Sequence, residues 1–313
     1  MNRFKEFCAS GPHAAWPLTE RAACDWVLSL EQGGKLNAST IRHYASALST
    51  HYELTAGTSL GNPMRDNVPR LLDAVERRRA PLEKARRDAA PQQLPLTQDV
   101  VAQLESVLKP VGPAAPAASV MRWAAFTLGA ALGPRICELM GVAAEAVSFF
   151  TGFEQQRPLA LAPAGANISS LPAPSHFDVD FGRTKTDVRG VHSTFRCGDA
   201  RTVAVLWRWC NLRRTGAGAF GPELFRLPQH GGERLTQKAL LSWADAGLAA
   251  IGRSGEHFSG KSFRRGFASS QAARGLGSAA IAAAGPWATP SMPEVYTSRD
   301  AKLQRQLALS RPR

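Results

Sequence analysis

The chain has 313 residues, a hydrophobic fraction of 44%, and 38 Lys+Arg against 25 Asp+Glu, a formal charge of +13. That length suits two domains, the apolar content excludes global disorder, and the charge makes a polyanion, by default nucleic acid, the expected partner. The five cysteines lack a CxxC and the seven histidines lack an HExxH. Disulfide frameworks and metal clusters are therefore not expected, and neither a cofactor nor a metal is implied. No apolar run reaches the length of a membrane span, and "NRFKEF" after Met1 is no signal-peptide core, so the expectation is an intracellular protein without a membrane partner.

Residues 1–78 read as helices. Thr19 is placed to cap a segment with Trp26, Val27 and Leu30 on one face, closed by Gly33-Gly34. Ser39 is expected to cap the next, in which Ile41, Tyr44, Ala45, Leu48 and Tyr52 form an apolar stripe. Both tyrosines are thereby assigned to packing. A third helix carries Val68, Leu71, Leu72 and Val75. From Glu76 to Thr97 the chain is basic, proline-bearing and weakly periodic, which predicts a linker. Helices resume at Asp99–Leu108, where Thr97 is the predicted cap, and at "SVMRWAAFTLGAAL". Residues 149–170, rich in Pro, Gly and Ala, read as an irregular insertion. "FDVDFGRTKTDVRGVHSTFRC" alternates about a polar centre, the pattern of a β-hairpin, and helices dominate again from Thr202.

Four separated stretches carry charged or nucleophilic groups. "LGPRICELMGV" sets Arg135 near a helix start with Glu138 one turn later. "GRTKT" puts Lys185 at the hairpin tip. "SGKSFRRGFASSQAARGLG" has Lys261 and Arg264 one helical turn apart. "GPWATPSMPEVYTSRD" holds Trp287 and, nine residues on, Tyr296, one of three tyrosines in the chain.

In this order the stretches resemble the tyrosine recombinase (phage integrase) family, with a Cre-like catalytic domain. "TIRHYASALSTHYELTAG" and "KTDVRG" are similar to recombinases of crypton- or DIRS-type mobile elements. The resemblance spans nearly the whole chain apart from 149–170, and its specific part runs from "SGKSFRRGFA" to "PEVYTSRD". It implies a mainly α, two-domain DNA clamp. A helical core-binding domain would occupy 1–80, a basic linker 81–96, and a helical catalytic domain with a small antiparallel sheet 97–313. It implies Arg135, Lys185, Lys261, Arg264, Trp287 and Tyr296 as catalytic residues, with Glu138 buttressing Arg135. The activity implied is site-specific strand exchange through a 3′-phosphotyrosyl intermediate, as in DNA integration or transposition. The implied partner is double-stranded DNA, with four copies assembled on paired sites, located wherever the DNA is: nucleus in a eukaryote, cytoplasm or nucleoid in a bacterium.

The chemistry suits those residue types. A phosphodiester under attack gathers negative charge on its non-bridging oxygens, which planar, permanently charged guanidinium forks bind and orient. A lysine can protonate the leaving 5′ oxygen, and a tyrosine among cations is an apt nucleophile. The sequence departs from the family in two places, of which Pro286 before Trp287 is harmless if that residue begins a helix. Lys261 stands where box II usually has histidine, as in type IB topoisomerases, so plasmid relaxation, or DNA binding without cleavage, are the alternative readings. His257, four residues earlier, reads as a turn-exposed side chain.

Overall fold

The computed structural model describes residues 2–89, 92–152, 157–161, 171–182, 194–215, 221–227, 232–287 and 289–297. The chain divides into two compact units, Met1–Ala90 and Pro91–Arg313.

The first unit packs α1 (Asn2–Ala9), α2 (Glu20–Gln32), α3 (Ala38–Ala56) and α4 (Asn67–Ala89) around one apolar core. Thr19 caps α2 as predicted, its hydroxyl accepting the Ala22 N–H at 3.2 Å. Phe4 of α1 meets the Trp26 ring edge-on at 5.2 Å, and Ile41, Ala45 and Leu48 of α3 complete the contact. The cap of α3 is Asn37 rather than Ser39. Asn37 Oδ1 accepts the Thr40 N–H at 2.7 Å, and the Ser39 hydroxyl merely donates to Asn37. Starting the helix two residues earlier brings in Ala38, which is buried. Tyr44 and Tyr52 are half-buried at the rim of the core, where Tyr52 Oη donates to the Gly61 carbonyl at 3.4 Å.

Residues 76–89, expected to be linker, are instead the second half of α4. The stretch consists mostly of strong helix formers, and tertiary partners anchor it. Arg79 is buried and donates to the carbonyls of Glu31 at 2.9 Å and Gly34 at 3.2 Å, satisfying acceptors at the end of α2. Arg78 grips the Glu31 carboxylate through two nitrogens at 3.0 and 2.7 Å. Pro81 lies on the exposed face of the helix, where its missing N–H costs one intrahelical bond but disturbs no core packing.

The second unit is built on α6 (Ala117–Leu132), which is apolar almost all round and therefore central. Trp123, Phe126 and Leu128 are fully buried among α5 (Gln98–Leu108), α8 (Ala200–Thr215), α9 (Gln237–Ala250) and α10 (Ser262–Ala273). Thr97 caps α5, accepting the Val100 N–H at 3.4 Å. Three strands, β2 (Val147–Phe150), β3 (His176–Asp180) and β4 (Thr194–Cys197), form an antiparallel sheet in the order β2-β3-β4, with Phe177 opposite Cys197 and Asp180 opposite Thr194. β3 and β4 are the arms of the predicted hairpin. The expected insertion from Phe149 begins later, because Phe149 and Phe150 belong to β2 and Phe149 packs edge-on against Trp207 at 5.0 Å. A second, parallel pair joins β1 (Gln92–Gln93) to β5 (Glu256–His257). Short helices α7 (Ile136–Gly141), α11 (Ser278–Ala284) and α12 (Ser291–Thr297) complete the unit. Among the described residues no helix is long and apolar enough to cross a membrane.

Candidate active site

Gly133 ends α6 in the left-handed conformation, φ 61°, and turns the chain into α7. A side chain there would also collide with Phe267, since a β-carbon would lie 2.7 Å from its own. The turn delivers Arg135 to the N-cap of α7. Its backbone N–H donates to Glu138 Oε2 at 2.7 Å and its Nη1 to Oε1 at 2.5 Å. Glu138 therefore caps the helix that carries it and fixes the Arg135 fork in the same contact.

Glu138 has a second guanidinium partner, one that sequence reasoning did not assign. Arg264 Nη2, from α10, donates to Glu138 Oε2 at 3.1 Å and to the Pro286 carbonyl at 2.9 Å. Arg264 is 3% exposed and Glu138 8%. One carboxylate between two arginines leaves a net positive charge at the edge of the core. Burial pushes Arg264 below the ordinary arginine range; Glu138 opposes that shift, and Arg135 adds a smaller downward push.

Trp287 lies under Arg264. The Arg264 guanidinium sits 5.3 Å from the indole centroid, and the ring packs against Phe267 at 5.4 Å. Tyr296, in α12, is half-buried against the same small cluster of Phe267, Ala268, Ile281 and Trp287, close enough to act on the charge of Arg264. A bond from Ser278 Oγ to Glu294 Oε1, 2.9 Å, ties α12 to α11. Two donors in this region are buried and have no partner among the described residues: Arg264 Nε and Trp287 Nε1. Unpaired buried donors are costly in a finished core and are expected where a ligand supplies the acceptor.

Lys261 is the N-cap residue of α10, exposed, with no partner for its ammonium among the described residues. His257 is not in an exposed turn: it is part-buried in β5, with Nδ1 buried and without a partner among the described residues. Pairing of β5 with β1 draws it in, and no local pattern signals that pairing. Lys185 lies outside the described residues. Of the six residues singled out in the sequence, Arg135, Arg264, Trp287 and Tyr296 thus share one neighbourhood and Lys261 begins the helix that bears Arg264. Sequence reasoning also missed the Pro286 carbonyl, since a backbone acceptor leaves no residue-type signature.

A central helix wrapped by others, with a small antiparallel sheet to one side, is the fold of tyrosine recombinases and integrases. Solved structures with this fold include the XerH site-specific recombinase bound to palindromic difH substrate, at 13% identity and TM-score 0.60, covering 98% of this chain and 76% of that one. The Tn1549 transposon integrase in complex with circular intermediate DNA is similar at 15% identity and TM-score 0.59, covering 99% and 92%. In complex with transposon right end DNA it is similar at 14% identity and TM-score 0.57, covering 98% and 90%. No protein-family model matches the sequence, and no curated protein matches it.

Proposed function

We propose that this protein is a site-specific DNA recombinase that cleaves and rejoins duplex DNA through a 3′-phosphotyrosyl intermediate. The observation that carries the reading is the Glu138 carboxylate holding both Arg135 and Arg264, with Arg264 over the Trp287 ring and Tyr296 against the same cluster. In this reading the Tyr296 hydroxyl gives its proton to solvent and its oxygen attacks phosphorus, the P–O5′ bond breaks, and the 5′ oxygen leaves with a proton from Lys185. Arg135 and Arg264 neutralise the non-bridging oxygens, and Arg264 Nε and Trp287 Nε1, without partners among the described residues, supply further donors. Lys261 contacts the same phosphate or its neighbour. The phosphotyrosine ester conserves the bond energy, so a 5′ hydroxyl from a second site completes exchange without ATP. Four copies on paired sites, as in a transposon or integrative element, provide that second site.

The exposed face of α4 supports DNA contact by the first unit. Arg70, Arg77 and Lys84 recur every seven residues, opposite the buried Val68, Leu72 and Val75. The acids nearby are engaged elsewhere: Asp73 and Glu76 on Arg42, Glu83 on the Ala38 N–H. That leaves a line of cations for phosphates.

The test is covalent capture. The full chain is incubated with a randomised, nicked duplex library, denatured, and the DNA attached to protein is sequenced. A recombinase yields one enriched motif with wild type and none with Tyr296→Phe. Attachment that persists in Tyr296→Phe overturns the assignment. Relaxation of any supercoiled plasmid without an enriched motif favours the topoisomerase reading, to which Lys261 lends its weight.

A further inference from the structure

The chain entering the second unit is stitched to both flanks of the Lys261–Arg264 segment. The Leu94 N–H donates to the His257 carbonyl and the Leu96 N–H to the Ser262 carbonyl, each at 2.9 Å. The Gln98 N–H donates to Ser270 Oγ at 3.2 Å, and Arg265 Nη1 to the Gln93 carbonyl at 3.3 Å. The Lys261 turn is tied in through Ser259, whose hydroxyl accepts the Lys261 N–H at 3.3 Å and donates to Gln93 Oε1 at 3.4 Å. Where this segment crosses α10, a β-carbon on Gly266 would lie 1.9 Å from the Leu96 carbonyl oxygen. Gly266 has no left-handed φ to explain its presence. The reason is approach: backbone meets backbone there, and no rotamer relieves such an overlap.

We propose that residues 93–98 form a strap that sets the position of Lys261 and Arg264, and that Gly266 is the positioning residue on which the strap seats. The proposal rests on the recombinase reading only for what the positioned groups do. Arg264 is two residues from Gly266 and its fork reaches Glu138 with little tolerance, so lifting the strap tilts α10 and misplaces the guanidinium.

Two readouts on the full chain test it. The first is hydrogen exchange of the amides in 259–265 and needs no DNA. The second is single-turnover cleavage, with affinity measured in parallel, on the duplex retrieved by covalent capture. Gly266→Ala should speed exchange in 259–265 but not in α6. It should lower the cleavage rate by about 10²-fold, the usual cost of a displacement near one ångström, with duplex affinity unchanged. Ser270→Ala should act in the same direction more weakly, and Ser270→Thr, which keeps the hydroxyl, should restore both readouts. The Ser270 pair decides the matter if Gly266→Ala does not fold. Wild-type exchange and cleavage in Gly266→Ala would overturn the strap, as would exchange raised evenly across the unit or no rescue by threonine. If wild type captures no duplex at all, the recombinase reading fails, and the exchange measurement still decides the strap.

Discussion

Glu138 and Arg264, 126 residues apart in sequence, meet at 3.1 Å in the interior of the second unit. The same carboxylate holds Arg135, so one side chain sets the spacing of the two guanidinium groups. Neither arginine replaces it, because both carry the charge that it balances.

Glu138→Ala should therefore destabilise the second unit by roughly 3–5 kcal/mol, as losing one partner of a buried ion pair does. Arg135→Ala should cost less, since Arg135 is partly exposed and its loss leaves Arg264 paired. Denaturant unfolding of the two variants checks the order; equal losses would count against a shared carboxylate.

The basic run at 77–79 splits into two functions. Neutralising Arg78 and Arg79 should lower stability, because one grips Glu31 and the other satisfies two carbonyls. Neutralising Arg70, Arg77 and Lys84 should leave the unfolding midpoint in place. The dependence of log K for DNA on log salt should flatten by about 0.9 for each phosphate that is no longer neutralised. An unchanged slope would remove this face from the DNA interface.

The Glu31–Arg78 pair also gives a pH dependence. The Arg78 hydrogen bond holds the Glu31 carboxyl below its ordinary value. The folded state thus binds fewer protons than the unfolded one, and the pair stabilises above the unfolded pKa of about 4.3. That contribution is lost as pH falls through the folded value. Arg78→Ala should consequently narrow the stability difference from wild type as pH drops from 6 to 3, measured by thermal unfolding.

Trp287→Phe keeps a ring beneath Arg264 and removes the unpartnered Nε1 donor. Stability should change little while cleavage of the captured duplex falls, on the order of 10²-fold for one well-placed donor. Trp287→His should recover part of the rate. A phenylalanine variant as fast as wild type would make Trp287 a packing residue alone.

Lys261→Ala should slow cleavage without altering the fold, since the side chain is exposed and has no partner among the described residues. Lys261→His should cleave at low pH and lose rate as imidazolium deprotonates, near about 6.5. Single-turnover rates from pH 5.5 to 9 test this, and an alanine variant at wild-type rate throughout would assign the lysine to the surface.

Elements whose signals are local were legible in the chain. Thr19 and Thr97 announce their helices because a cap and its amide partner lie three residues apart. The hairpin arms show in alternation, and Arg135 and Glu138 are neighbours on one helical turn. Motif order drew Arg264, Trp287 and Tyr296 together before any contact was visible. Relationships between distant segments emerged only in the fold. Proline and charge spoke for a linker after Glu76, yet Arg79 closing the end of α2 keeps α4 helical to Ala89. Burial of His257, the passage of Leu96 over Gly266 and the sharing of Glu138 all depend on the partner that packing supplies. Such a partner sits tens to more than a hundred residues away and leaves no periodicity in the local sequence.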